Sequence, residues 1–306
     1  MTGLLFIEQS LNGLQFGLML FLLAAGLTIV FGVMDMINLA HGSLYMVGAF
    51  LAARLTAATG SFLLGLLLAV VLTAAFGMLL ELSLLRTLYE RDHLSQVLAT
   101  FALILILNDG VKMVFGADLL LSTPQALSGP VQLLPGLQYP AWRLLIIVVG
   151  LALALALYLL VQKTRIGALV RAGASNREMC MAMGVDIRLL FTCVFGLGAA
   201  LCAVAGGLLG PLLAVQVGMG ENILILAFVV VVIGGIGSVR GALIGAILVG
   251  VVDTLGRTLL QQGLREVLPP QWASAAGPAL ASIAVYVLMA GVLVWRPQGL
   301  FPVRAG

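Results

Sequence analysis

Apolar runs long enough to cross a bilayer recur along this chain, and no other feature limits its fold so tightly. A helix needs about 20 apolar residues to span about 30 Å of hydrocarbon, and only structures that satisfy their own backbone can sit there. Such runs occupy 11–33, 38–57, 62–85, 95–115, 142–162, 189–213 and 278–295. Hydrophobic residues make up 62% of the chain and charged residues 9%, with a mean hydropathy of +1.20. Those values lie outside the range of soluble domains. The expected fold class is an all-α polytopic membrane protein, a single bundle over residues 1–306.

The stretch 222–256 is less regular. Leu224 to Ile233 is strongly apolar, Gly234-Gly235-Ile236-Gly237-Ser238-Val239-Arg240-Gly241 interrupts it, and Ala242 to Val252 is apolar again. As one span it would hold Arg240 at mid-membrane, which is costly. As a tight helical hairpin it leaves ten of the fifteen Lys and Arg on one side: Arg86, Arg91, Lys163, Arg165, Arg171, Arg177, Arg188, Arg240, Arg296 and Arg304. The positive-inside rule makes that side cytoplasmic. The expected bundle thus has about 8–9 transmembrane segments, with short or broken helices near 34–45 and 222–256. Its C-terminus is cytoplasmic and its N-terminus outside, although a re-entrant segment near residue 38 would reverse the latter. No Lys or Arg precedes Arg54, so the positive region of a cleaved leader is missing and the first run is expected to stay as a span. A net charge of +3 fits cytoplasmic loops facing anionic lipid, with no nucleic-acid patch. Cys180, Cys193 and Cys202 lack metal-ligand spacing and read as reduced core residues.

Residues 163–188 form the one long polar interruption rich in positive charge. Within it, Ser175-Asn176-Arg177-Glu178 has the spacing of a capping box: the Ser hydroxyl can accept from the amide of Glu178, whose carboxylate can reach back to Ser175. Gly184 suits left-handed closure of a helix. The spacing predicts about two helical turns, Asn176 to Met183, with Met179, Ala182 and Met183 sharing a face. So short a helix needs packing partners, and methionine fills irregular grooves well. Two readings stand: a knob docking into a groove of a cytoplasmic partner, or a capped turn resting on the membrane surface.

The loop 117–141 falls on the outer side, rich in Pro and Gly, and suits either a partner-facing lid or a passive connector. Polar residues at membrane depth are functional candidates by default. Asp35, Asn38, His41 and Ser43 either mark a half-helix end lining a solute path or pin a helix break. Asp109 and Lys112, three apart beside Asn108, are expected to pair. Glu221-Asn222 is a candidate cap for the helix that follows. Asp253, alone in its segment, is either a transport carboxylate or a group reaching the interface. The chain has no phosphate-binding P-loop, no metal pattern around its two histidines, and no nucleophile motif to support a Ser238–His41 hydrolase. Neither enzymatic chemistry nor a cofactor is expected in it.

Three motifs carry a family resemblance. Asn38-Leu39-Ala40-His41-Gly42, after the run from Gly32 to Ile37, resembles the Asn-Phe-Ala-His-Gly signature of the H-type permease subunits of bacterial ABC importers for branched-chain amino acids. Gly234-Gly235-Ile236-Gly237-Ser238, followed by Gly241-Ala242, is similar to that family's Gly-Gly-x-Gly-Ser-x-x-Gly-Ala signature, and Arg296-Pro297-Gln298-Gly299-Leu300-Phe301 to its C-terminus. The resemblance covers essentially the whole chain, with Leu39 where Phe is usual and Arg240 where Pro is common.

It implies half of a translocation pore in the bacterial inner membrane, paired with a second, M-type permease. Two ATPase subunits holding ATP and Mg, and a periplasmic solute-binding protein facing the outer loops, would complete the importer. The resemblance also implies that 163–188 carries the coupling helix, with Ser175, Asn176, Glu178, Met179, Ala182, Met183 and Gly184 meeting the ATPase. Asn38, His41, Gly42, Gly234, Gly235, Gly237, Ser238 and Gly241 become the candidate pathway and helix-break residues. Solutes would be branched-chain amino acids or related small amino acids, amides or carboxylates. The alternative class is a self-sufficient secondary transporter or channel, for which carboxylates inside spans are expected; Asp109 and Asp253 would be its candidates.

Overall fold

The computed structural model describes residues 3–266 and 269–301, and the side chains of Arg177, Glu178 and Pro270 lie outside the described set. Among the described residues the chain is almost wholly helical. The helices are α1 (Gly3–Met34), α2 (His41–Thr59), α3 (Phe62–Ser83), α4 (His93–Phe115), α5 (Ala141–Lys163), α6 (Arg165–Ser175), α7 (Arg177–Ala182), α8 (Ile187–Leu209), α9 (Met219–Gly234), α10 (Val239–Arg265) and α11 (Pro270–Trp295). Seven of them are long and apolar enough to cross a membrane. Helix α2 and the short apolar α9 pack among them and stand where broken helices are expected.

Helices α1 and α8 form the centre, buried over most of their length, whereas α3, α4, α5, α10 and α11 present most of their surface outward. Lipid offers no hydrophobic gain for helix association, so close packing of small residues must supply it. Gly13 and Gly17 of α1 lie directly on the backbone of Val251 and Ala246 in the antiparallel α10, and Gly48 of α2 lies on Ala203 of α8.

Several boundaries differ from expectation for identifiable reasons. The first span starts at Gly3 rather than 11, because its early polar residues are helical. The last starts at Pro270, with Pro278 inside the helix rather than at its start; a membrane helix tolerates such a proline. The polar interruption contains an additional eleven-residue helix, α6. Asp92 caps α4 by accepting from the amide (3.2 Å) and hydroxyl (2.6 Å) of Ser95, and these bonds hold its carboxyl below the usual carboxylate range.

Between α1 and α2 the chain turns back into the bundle. Asp35 takes a left-handed conformation (φ 52°) that ends α1, and Asn38 Oδ1 accepts the Ala40 amide at 3.0 Å as α2 begins. At the end of the bundle that carries most of the basic residues, Gly235 and Gly237 turn α9 into α10 with positive φ. Ser238 caps α10 by accepting the Gly241 amide at 3.1 Å. The C-terminal segment docks on this hairpin: the amides of Leu300 and Phe301 donate to the carbonyls of Ile233 (2.9 Å) and Gly234 (3.0 Å). Two sequence motifs that are far apart in the chain therefore form one joint. Arg240 reaches across to the Tyr158 hydroxyl of α5 at 2.8 Å, at the same end as α6 and α7.

Towards the opposite end, but short of the end of α2, the loop after α4 begins to fold into short strands. β1 (Asp118–Leu119) pairs with β4 (Val215–Gln216), and β2 (Pro130–Leu134) forms a hairpin with β3 (Leu137–Pro140). Trp142, packed edge-on against Phe62 (4.9 Å between centroids) and donating to the Leu208 carbonyl at 3.2 Å, ties α3, α5 and α8 together there.

Candidate functional site

Helix α7 stands as a short knob between two fixed ends. Asn176, in extended conformation, accepts the Met179 amide on its side chain at 2.9 Å and is the N-cap. Ser175, the cap suggested by the capping-box spacing, is instead the last residue of α6. The reason is steric: the chain must bend between two helices, and the extended residue at that bend is the one free to cap. Glu178's side chain, the other half of that box, lies outside the described set.

Gly184 takes φ 82°, its amide donating to Met181 (2.9 Å) while that of Val185 donates to Cys180 (3.1 Å). This paired pattern closes a helix against further unwinding. Asp186 then caps α8 through the amides of Arg188 (3.0 Å) and Leu189 (3.1 Å). On the knob, Cys180 is buried while Met179, Met181 and Met183 are exposed, Met183 to 78%. Ala182 is exposed beside them. Met181 was missed by the single-face reading; with so short a helix, three neighbouring side chains can all project from the tip.

The two glycine-containing motifs occupy different depths. His41 is fully buried, its ring held between Gly26 of α1 and Gly198 of α8, with Nε2 3.2 Å from the Cys202 sulfur. Gly42 lies against Gly220 so closely that a Cβ on either would overlap the other's carbonyl. The beginnings of α2 and α9 thus cross near the midpoint of α8. Asn38, His41 and Gly42 pin this crossing. Gly234, Gly235, Gly237, Ser238 and Gly241 build the hairpin at the basic end, where Gly234 and Gly241 are in backbone contact. The two grooves beside Gly136 and beside Arg143 are lined by neither set.

The expected ion pair between Asp109 and Lys112 is not formed. Among the described residues the ion pairs are Arg86–Glu81 and Arg257–Asp253. Asp253 is therefore not alone: it is buried and grips the Arg257 guanidinium through both oxygens, at 2.8 and 2.9 Å. One helical turn suffices for that, which makes it a structural pair. Glu221 is not a cap either, since Gly218 is the N-cap of α9. Instead, Asn108 of α4 donates its side-chain amide to the Glu221 carboxylate. Glu221 follows Gly220, so this carboxylate sits at the depth of the α2–α9 crossing. Its charge was visible in the sequence; its depth was not.

The chain matches the family described as branched-chain amino acid transport system / permease component over residues 9–293. It is 30% identical over 309 residues to the high-affinity branched-chain amino acid transport system permease protein BraD of Pseudomonas aeruginosa, covering 96% of this chain and 95% of that protein. To the corresponding protein LivH of Escherichia coli it is 29% identical over 316 residues, covering 96% and 97%. A third relative, the probable branched-chain amino acid transport permease protein LivH of Methanocaldococcus jannaschii, is 30% identical over 246 residues, covering 78% and 76%.

Proposed function

This chain belongs to the family of branched-chain amino acid transport system permease components, and from that premise we propose that it lines half of the translocation path of an ABC importer in a bacterial inner membrane. Its solute is a branched-chain amino acid or a related small amino acid, amide or carboxylate. A second permease of M type completes the path, a periplasmic protein delivers the solute, and two ATPase subunits bind ATP and Mg. The solute crosses unchanged.

The observation that carries the coupling part of this reading is the α7 knob, capped at both ends and tipped with Met179, Met181 and Met183. A capped helix moves as a body rather than unwinding. Its exit leads through the Asp186 cap directly into α8, one of the two central helices. Motion imposed on the knob by closing ATPases would therefore tilt the centre of the bundle. A self-sufficient carrier has no use for such a knob, and of the carboxylates it would need, Asp253 is already tied to Arg257.

Met179→Asp combined with Met183→Asp is expected to abolish co-purification of the ATPase while leaving membrane insertion intact. Each apolar side chain buried in a groove contributes about 1.5–3 kcal/mol, and a carboxylate in its place adds a desolvation penalty. Undiminished co-purification would overturn the coupling role. Cys180 is too buried to report sidedness, so Met183→Cys serves instead, with labelling expected only from the cytoplasmic side. The purified chain alone should show no solute flux in liposomes under ion gradients.

A further inference from the structure

The Glu221 carboxylate has no part in the roles above, and two independent observations bear on what lies beside it. A charge at mid-span is expensive unless it faces a bundle interior or a water-filled space. Yet Glu221 is exposed on this subunit's surface, as is Lys112 of α4. The second observation concerns the backbone. Helix α4 stops early: Phe115 packs on Phe50 of α2 (5.9 Å between centroids), and α2 continues to Thr59, about 13 Å further on. The β1–β4 ladder follows there, with Asp118 and Gln216 exposed, and the chain descends until the Gly218 amide meets the Met46 sulfur at 3.4 Å. Non-helical backbone at such depth is tolerated only where protein or water covers it.

Resting on the permease reading, we propose that the α4–α9 face lines the aqueous solute path and holds an amino-acid zwitterion, Glu221 receiving its ammonium group and Lys112 its carboxylate. The bond from Asn108 orients Glu221 and leaves its second oxygen, with Asn108 Oδ1, to accept from the three ammonium donors. Lys112 lies one turn along α4 from Asn108, on the same side. Leu105 and Ile225, both about half exposed, lie one turn from Asn108 and Glu221 and offer apolar surface to a branched side chain.

The test uses the importer assembled with its partner subunits in proteoliposomes, with Cys180, Cys193 and Cys202 replaced by Ser. Glu221→Cys and Lys112→Cys should react with a charged, membrane-impermeant thiosulfonate, while Ile106→Cys, on the other side of α4, should not. Labelling of Leu105→Cys should slow when L-leucine and the binding protein are added. Glu221→Gln and Lys112→Gln should each lower ATP-driven L-leucine uptake about tenfold or more, as loss of a charge-assisted contact does, with ATPase association unchanged. If Glu221→Cys is as unreactive as Ile106→Cys, the face is not wet and the proposal falls. Reactive positions with wild-type uptake in both Gln variants and no slowing by L-leucine would overturn the zwitterion contact. Failure of the permease reading shows separately, as absence of ATP-driven uptake by the wild-type assembly, and the labelling still reports the face.

Discussion

Gly220→Ala is expected to leave little folded protein after detergent extraction, and Gly42→Ala to behave alike. A Cβ on Gly220 would overlap the Gly42 carbonyl, and one on Gly42 would overlap the Gly220 carbonyl and come within 2.9 Å of Leu224 Cβ. Overpacking typically costs about 1–3 kcal/mol when a side chain can turn aside. Here the obstacle is backbone on both sides, so relief requires separating α2 from α9, and the cost should lie at or above the top of that range. Separation would also displace the His41 ring from its slot between Gly26 and Gly198. Gly110→Ala in α4 and Gly263→Ala in α10 are the controls, since nothing lies within 4 Å of a Cβ at either position. Removing glycine from a helix interior gains about 1 kcal/mol, so their thermal midpoints in detergent should hold or rise. A wild-type midpoint for Gly220→Ala would mean the two half-helices do not cross this closely.

The positions that could be read from sequence are those where a single residue carries a large cost. Arg240 is costly in hydrocarbon, and that cost, together with ten basic residues falling on one side, predicts the hairpin between α9 and α10. The polar run from Asp35 to Ser43 cannot continue a span, which predicts the break before α2. What escaped the sequence depended on neighbours. Polar Glu8, Gln9 and Ser10 hide the true start of α1, because nothing local shows that this end will be held by Asn12 accepting from the Tyr139 hydroxyl (3.0 Å) and from Arg143. Ser175 and Asn176 are both good caps, and α6 decides between them by extending through Ser175. The docking of Leu300 and Phe301 onto Ile233 and Gly234 explains two motifs together, but only the fold brings them into contact. Glu221 is the sharpest case: its charge is plain in the chain, while its depth follows only from the contact of its neighbour Gly220 with Gly42.

Arg86→Met should destabilise the subunit more than Glu81→Leu, although both break the same ion pair. Glu81, at the basic end of α3, has no exposed surface. Its carboxylate accepts from Arg86 Nε and Nη2 (both 3.3 Å), from the Tyr89 hydroxyl (2.8 Å) and from the Thr192 hydroxyl (2.6 Å). Breaking a buried pair by removing one partner costs about 3–5 kcal/mol, because the charge left behind is uncompensated. Arg86 keeps 31% of its side chain exposed and can turn to water when Glu81 is gone. Glu81 cannot do so when Arg86 is gone, so the larger loss falls on Arg86→Met. The double variant Glu81→Leu with Arg86→Met should recover part of that loss, and a double-mutant cycle on thermal midpoints would measure the coupling. Strict additivity would show that the two charges do not act as a unit. Thr192 stands near the start of α8, just beyond the knob, and Tyr89 packs edge-on against Phe191 of the same helix at 5.4 Å. The network therefore fastens α3 to the helix that the coupling knob would move. Arg86→Met should accordingly lower ATP-driven uptake by more than it lowers the amount of assembled importer.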